Sequence, residues 1–154
     1  MSSIASGAAV AGELEILEAA PFFAGLGRAQ LACLALLARR ERYSQDTRIY
    51  SLGDPAEDFY VLTEGMVRFT LGVGRRDTSA GEIIRRGEVF GWAALVETTQ
   101  RRIATAYCLT SCEVLALDGA RLVALMEEDH GLGYALMKQL SVLLTSELKA
   151  FAAG

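Results

Sequence analysis

The sequence predicts a mainly β domain, an antiparallel sandwich or closed roll, with helices at both ends. Three observations carry this prediction. Between Arg39 and Asp118, short apolar runs alternate with Gly, Asp and Pro, the pattern of many short strands joined by turns. Before them, Leu31, Leu34 and Leu37 recur at helical spacing. After them, Leu132, Leu136, Leu140, Leu143, Leu144, Leu148 and Phe151 keep one apolar stripe along a long helix.

In chain order, residues 1–12 are small and aperiodic and read as a loose tail. Residues 13–154 read as one domain, with the roll over about 39–118 and C-terminal helices over about 119–151. Glu13 to Ala20 forms a short helix ended by Pro21, and Arg28 to Leu37 a second. Thr47 to Tyr50 is a strand ended by Gly53-Asp54-Pro55. Phe59 to Leu62 and Met66 to Leu71 are strands joined around Glu64-Gly65, with Val67, Phe69 and Leu71 alternating. Ile103 to Leu109 and Glu113 to Leu117 read as a hairpin. Leu122, Leu125 and Met126 mark a short helix that ends in Glu127-Glu128-Asp129 before the long one begins.

Composition narrows the function. The chain has 154 residues and is 52% hydrophobic, enough to bury a core and too apolar for disorder. Lys plus Arg number 15 against 19 Asp plus Glu, a net charge of −4, so the chain lacks the basic field that draws proteins to DNA or anionic membranes. The longest apolar run, Leu31 to Ala38, is stopped by Arg39-Arg40, short of the ~20 residues of a membrane span. Three cysteines, Cys33, Cys108 and Cys112, cannot all pair and read as reduced thiols of a cytoplasmic protein. A metal-dependent roll enzyme needs several converging His or carboxylate ligands, whereas His130 is the one histidine and precedes a helix. No nucleophile with a base partner can be argued, so the protein is expected not to be an enzyme and to need no cofactor.

The strings PFFAGL, IYSLGDPAEDFYVLTEGMVRF and GEVFGWAALV, followed by RIATA, resemble the cyclic nucleotide-binding domain family, which includes the bacterial catabolite activator and the regulatory subunits of protein kinase A. The likeness runs from about Pro21 to the end and keeps the order of Gly53-Asp54, Gly65 and Phe90-Gly91 with Arg102 downstream. It implies an eight-stranded β-roll flanked by N-terminal helices and a long C-terminal helix. It also implies an anion site: backbone N–H groups of Gly91, Trp92, Ala93, Ala94 and Leu95 facing a phosphate, with Arg102 as the cation. Ile103, Ala104 and Thr105 would complete the site. The chemistry is sound in itself, because unspent N–H groups favour anions and a guanidinium fork donates two parallel hydrogen bonds. Since strand neighbours point to opposite faces, only one of Arg101 and Arg102 can face the pocket; we assign Arg102.

The chain departs from the family pattern in three places. Where nucleotide-binding members carry a glutamate for the ribose 2′-hydroxyl, this chain has Trp92, whose indole donates and cannot accept. Leaving that hydroxyl unpaired costs ~1–3 kcal/mol, about 5- to 150-fold in affinity. Glu147 and Leu148 stand where catabolite-activator-type members reach the purine with hydroxyls, and Thr145 and Ser146 are expected to point away. After Phe151 too few residues follow for a helix-turn-helix, so direct DNA binding by this chain is not expected.

The resulting expectation is a regulatory sensor module for a small anionic ligand, with cyclic AMP or cyclic GMP the first to test, bound weakly. The alternative is a scaffold that has lost its ligand and uses its last helix for dimerisation or a protein partner. In relatives the equivalent helix pairs two subunits, which implies a homodimer with a seam through Leu136, Leu140, Leu143 and Leu144.

Overall fold

A computed structural model describes residues 7–73, 76–96 and 101–153. Helix α1, Gly7–Ala19, begins within the expected tail, so residues 7–12 are helical rather than loose; Met1 to Ser6 lie outside the described residues. A 3-10 turn, Pro21–Phe23, leads to α2, Arg28–Leu37. The strands are β1 Ala38–Tyr43, β2 Arg48–Tyr50, β3 Asp58–Glu64, β4 Val67–Val73, β5 Arg76–Ile84, β6 Val89–Phe90, β7 Thr105–Cys108 and β8 Cys112–Asp118. A second 3-10 turn, Trp92–Leu95, lies between β6 and β7; α3, Gly119–Glu128, and α4, His130–Ala153, close the chain.

These eight strands form two antiparallel sheets, ordered β1-β8-β3-β6 and β2-β7-β4-β5. Most consecutive strands therefore change sheet. The expected hairpin of Ile103 to Leu109 with Glu113 to Leu117 does not form: β7 pairs with β2 and β4, whereas β8 pairs with β1 and β3. The break at Leu109 to Ser111 is a corner between sheets, where Leu109 N donates to Met66 O and Met66 N to Thr110 Oγ1. The Glu64-Gly65 corner beside it does the same for β3 and β4.

The first sheet is buried on both faces, which explains why β3 and β8 are apolar without alternation. Tyr60, Leu62, Val114 and Ala116 face the interior of the roll with Val67, Phe90 and Ala106. Phe59, Val61, Leu115 and Leu117 face a second core made with Leu17, Phe23, Leu34, Leu122 and Leu132 of the helices. α1 is tied down by charge as well. Glu13 accepts from Arg40 at 2.9 Å, and buried Glu113 accepts from Arg40, Arg42 and Thr63, the paired arrangement a buried carboxylate requires.

α4 starts at His130, with Asp129 Oδ1 accepting from Leu132 N at 3.1 Å, a side-chain cap on the first turn. Leu132, Leu136 and Leu140 are at most 4% exposed and belong to the chain's own core. A dimer seam through Leu136 and Leu140 is thereby ruled out. Among the described residues, the exposed large apolar side chains of α4 are instead Tyr134, Met137, Val142 and Leu148, with Leu144 half-buried at the edge. No helix among the described residues is long and apolar enough to cross a membrane.

Candidate functional site

The site grows out of the turn after β6. Gly91 adopts φ +82°, a left-handed conformation that favours glycine. A Cβ there would meet Tyr60 Cδ2 at 3.0 Å, Asp58 O at 3.1 Å and an Arg102 nitrogen at 3.2 Å. The turn that follows buries Ala93 and Leu95 and leaves Trp92 half-buried. Ala94 N donates back to Gly91 O, whereas the N–H groups of Trp92 and Ala93 have no acceptor among the described residues, as the opening of a helical turn dictates.

Arg102 is locked from both ends. Its backbone N donates to Asp54 O at 2.8 Å and its carbonyl accepts from Gly53 N at 2.9 Å. The residue is 4% exposed, and its side chain donates to Gly91 O at 3.0 Å and Asp58 O at 2.6 Å. The guanidinium lies 4.1 Å over the Tyr50 ring and 5.8 Å from that of Tyr60, an arrangement that attracts a cation. Burial pushes both phenols up, Tyr60 to about 12, against the opposing pull of Arg102. Among the described residues no carboxylate pairs with Arg102, and its buried Nε has no hydrogen-bond partner. A buried fixed charge without a counter-charge is costly. Arg101 faces the other way, exposed, and donates to Gly53 O.

Arg102 opens onto a cavity of about 490 Å³ bounded by the second sheet, the turn and α4. Of the expected site residues, Gly91, Trp92, Ala93, Arg102, Ile103 and Ala104 line it. Three stand elsewhere: Leu95 packs in the helical core, Ala94 packs against it, and Thr105 spends its hydroxyl accepting from Leu52 N at 2.9 Å. α4 contributes Gln139, Val142, Leu143, Ser146 and Glu147. Ser146 thus faces the cavity, contrary to the expectation, whereas Thr145 donates to Ser141 O of its own helix. Tyr50 and Glu147 lie outside the expected set. Tyr50 has a usable signal, an aromatic one strand away from the arginine and just before the turn that clamps it. Glu147 marks the sequence only as an absence of hydroxyls.

Trp92 neither fills the cavity nor accepts a bond there. Its Nε1 donates to Glu147 Oε2 at 3.0 Å, joining the turn to the last helix. Burial raises the Glu147 carboxyl above its ordinary 4.5, and the Trp92 bond only partly offsets this. The native state therefore binds a proton more readily than the unfolded chain, so stability falls as pH rises from 4.5 through the raised value. Glu147→Gln keeps the acceptor and removes the charge. It is expected to melt higher than wild type at pH 7, with the gap shrinking as the pH approaches 4.5; a gap that widens on acidification contradicts the burial argument.

Elsewhere, Cys108 and Cys112 are buried and free, and burial beside Cys112 pushes the Cys108 thiol up to about 12, which removes its thiolate reactivity at neutral pH. Among the described residues no group of three or more His, Cys, Asp or Glu side chains is placed to hold a metal ion.

Fold and cavity define a two-sheet roll closed by a helix, with a buried cation in its wall. The cyclic nucleotide-binding domain model matches residues 40–129, and the chain belongs to that family, a regulatory rather than a catalytic one. Solved structures repeat the fold. A protein of Geobacter metallireducens GS-15 that carries a cyclic nucleotide-binding name is 24% identical, over 87% of this chain and 96% of that one, with a TM-score of 0.77. The sensor domain of the transcriptional regulator DNR from Pseudomonas aeruginosa is 19% identical over 91% and 93%, with a TM-score of 0.76. The regulatory domain of Toxoplasma gondii PKA, crystallised with cAMP, is 21% identical over 87% of this chain and 50% of that chain, with a TM-score of 0.75. At these identities the likeness is one of fold.

Proposed function

We propose that this domain is a regulatory sensor that holds a small anion between Arg102 and the N–H groups of Trp92 and Ala93, with Ile103 and Ala104 in the wall. The observation that carries the reading is the buried Arg102, fixed by two carbonyls, without a carboxylate among the described residues, and open to a cavity. A negative ligand supplies the missing counter-charge. Cyclic AMP and cyclic GMP are the first candidates on family grounds, and the absence of a hydroxyl acceptor at Trp92 weakens both. Calorimetry with these nucleotides and with aromatic carboxylates, on wild type and Arg102→Ala, tests the reading. The scaffold alternative requires a filled roll, which a cavity of about 490 Å³ argues against.

The output is movement of α4, which carries ligand-facing residues on one side and apolar residues on the other. Tyr134, Met137, Ser141, Leu144 and Leu148 follow the three-four spacing of a coiled-coil seam, roughly opposite the cavity face of Gln139, Val142 and Ser146 at ~100° per residue. A second copy of the chain pairing through that seam makes the domain a homodimer. The expected result is a dimer by light scattering at micromolar concentration and a monomer for Met137→Glu with Leu148→Glu. A monomeric wild type removes the dimer.

A further inference from the structure

The cavity wall carries a second polar group, on the sheet beside Arg102. Tyr50 ends β2 and lines the cavity, half-buried. Its ring is fixed by contact: it stacks on Tyr60 with centroids 6.0 Å apart and tilts against Phe90 at 6.4 Å. Ser51, the next residue, opens the turn in which Gly53 and Asp54 clamp the Arg102 backbone. The Tyr50 hydroxyl nevertheless makes no hydrogen bond to any described residue. A tyrosine hydroxyl in such a setting normally has a partner. Packing does not explain it, since Phe69 and Phe90 build the same aromatic wall without a hydroxyl. Burial raises the phenol above its ordinary 10 while Arg102 pulls the other way, so the group keeps its proton and is a donor at neutral pH.

We infer that Tyr50 binds the ligand directly: its hydroxyl donates a hydrogen bond to the negative end of the anion that Arg102 holds. The guanidinium lies 4.1 Å over the Tyr50 ring, so the hydroxyl of that ring belongs to the cation's end of the cavity. Two of the five N–H groups of Arg102 are already engaged by Gly91 O and Asp58 O. The fork therefore meets an anion with part of its donor set occupied, and the phenol supplies a further donor without adding charge. A bond from a hydroxyl to an anionic oxygen is short and strong. The site then selects an oxyanion, a phosphate or a carboxylate, with at least two free oxygens: one for the guanidinium and the turn, one for the phenol. In the ligand-free domain the hydroxyl holds nothing together, so binding and stability separate at this residue.

The inference rests on the sensor reading, and one conservative variant separates the two. Tyr50→Phe keeps the ring, its stacking and its contact with the guanidinium, and deletes only the donor. Binding of cyclic AMP, cyclic GMP and benzoate is measured by calorimetry on the full chain, beside Arg102→Ala. Tyr50→Phe is expected to weaken all three by about tenfold or more, the range of a charge-assisted hydrogen bond, because they share a negative end. Its ligand-free Tm is expected within about 2 °C of wild type or above it, since no native bond is lost. Unchanged affinities overturn the inference while the Arg102-dependent sensor stands. So does a loss confined to one probe, which would put the hydroxyl on that ligand's body. A Tm that falls along with affinity overturns it too, because the hydroxyl would then be structural. Failure of all three probes to bind wild type, or binding indifferent to Arg102→Ala, removes the sensor reading and this inference together.

Discussion

Arg102→Ala is expected to weaken binding of any anion that fits the cavity by about 100-fold or more, while the ligand-free domain stays folded. The size follows from the bonds lost. A guanidinium facing an anion makes charge-assisted hydrogen bonds of ~1.5–3 kcal/mol each, and two of them exceed a factor of about 100. Folding is spared because the native side chain is itself expensive, a buried charge held by two carbonyls and two ring faces with no carboxylate among the described residues. Gly91 O keeps the Ala94 N–H after the substitution, and only Asp58 O loses its side-chain donor. Ligand at about 100 times its Kd should raise wild-type Tm by roughly 5–10 °C, and the shift should vanish in the variant. Arg102→Lys should recover a minor part, since an ammonium has no planar fork to give the anion two parallel bonds while reaching both carbonyls. A variant that binds as wild type does would remove the electrostatic basis of the site; one that fails to fold at all would recast Arg102 as a structural strut.

What the sequence discloses, and what it withholds, follows the range of the interactions. Glycines at forced turns and apolar strands buried on both faces leave local marks, and β3, β4, β8 and the helices are legible for that reason. β1 leaves none, because the middle of its Ala-Arg-Arg-Glu-Arg-Tyr sequence is charged, with Arg40 and Arg42 pairing Glu13 and Glu113 and Arg39 pairing Glu41 and Asp58. Strand partners are misjudged where nearness in sequence is taken for nearness in a sheet; the corner at Leu109 to Ser111 sends β8 away from β7. The arginine is legible through the family resemblance, since alternation says only that one of Arg101 and Arg102 faces the pocket and not which. The Trp92–Glu147 bond spans 55 positions, and no periodicity or spacing announces such a pairing. The α4 stripe misleads in a related way: a helix stripe shows that a face is apolar, and only the packing shows whether the chain's own core or a partner covers it.

The corner packed against the one that breaks the expected hairpin gives the largest expected stability effect. Gly65→Ala is expected to cost ~3–5 kcal/mol and lower Tm by roughly 6–20 °C. Two penalties combine. The residue sits at φ +96°, which costs an L side chain ~1–2 kcal/mol. A Cβ there would also collide with Ser111 O and stand 2.8 Å from both Cys112 Sγ and Thr110 Oγ1. The carbonyl is backbone and cannot rotate away, so the two sheet-changing corners would have to part, breaking the bond from Met66 N to Thr110 Oγ1. Gly53→Ala isolates the first penalty, because Gly53 has φ +89° and a methyl group added there would meet nothing within 4 Å. It should cost only ~1–2 kcal/mol. Urea melts of the two variants then weigh steric contact against backbone strain. Equal losses would mean that the corners are not pressed together as described, and that the roll tolerates slack at the place where its two sheets exchange strands.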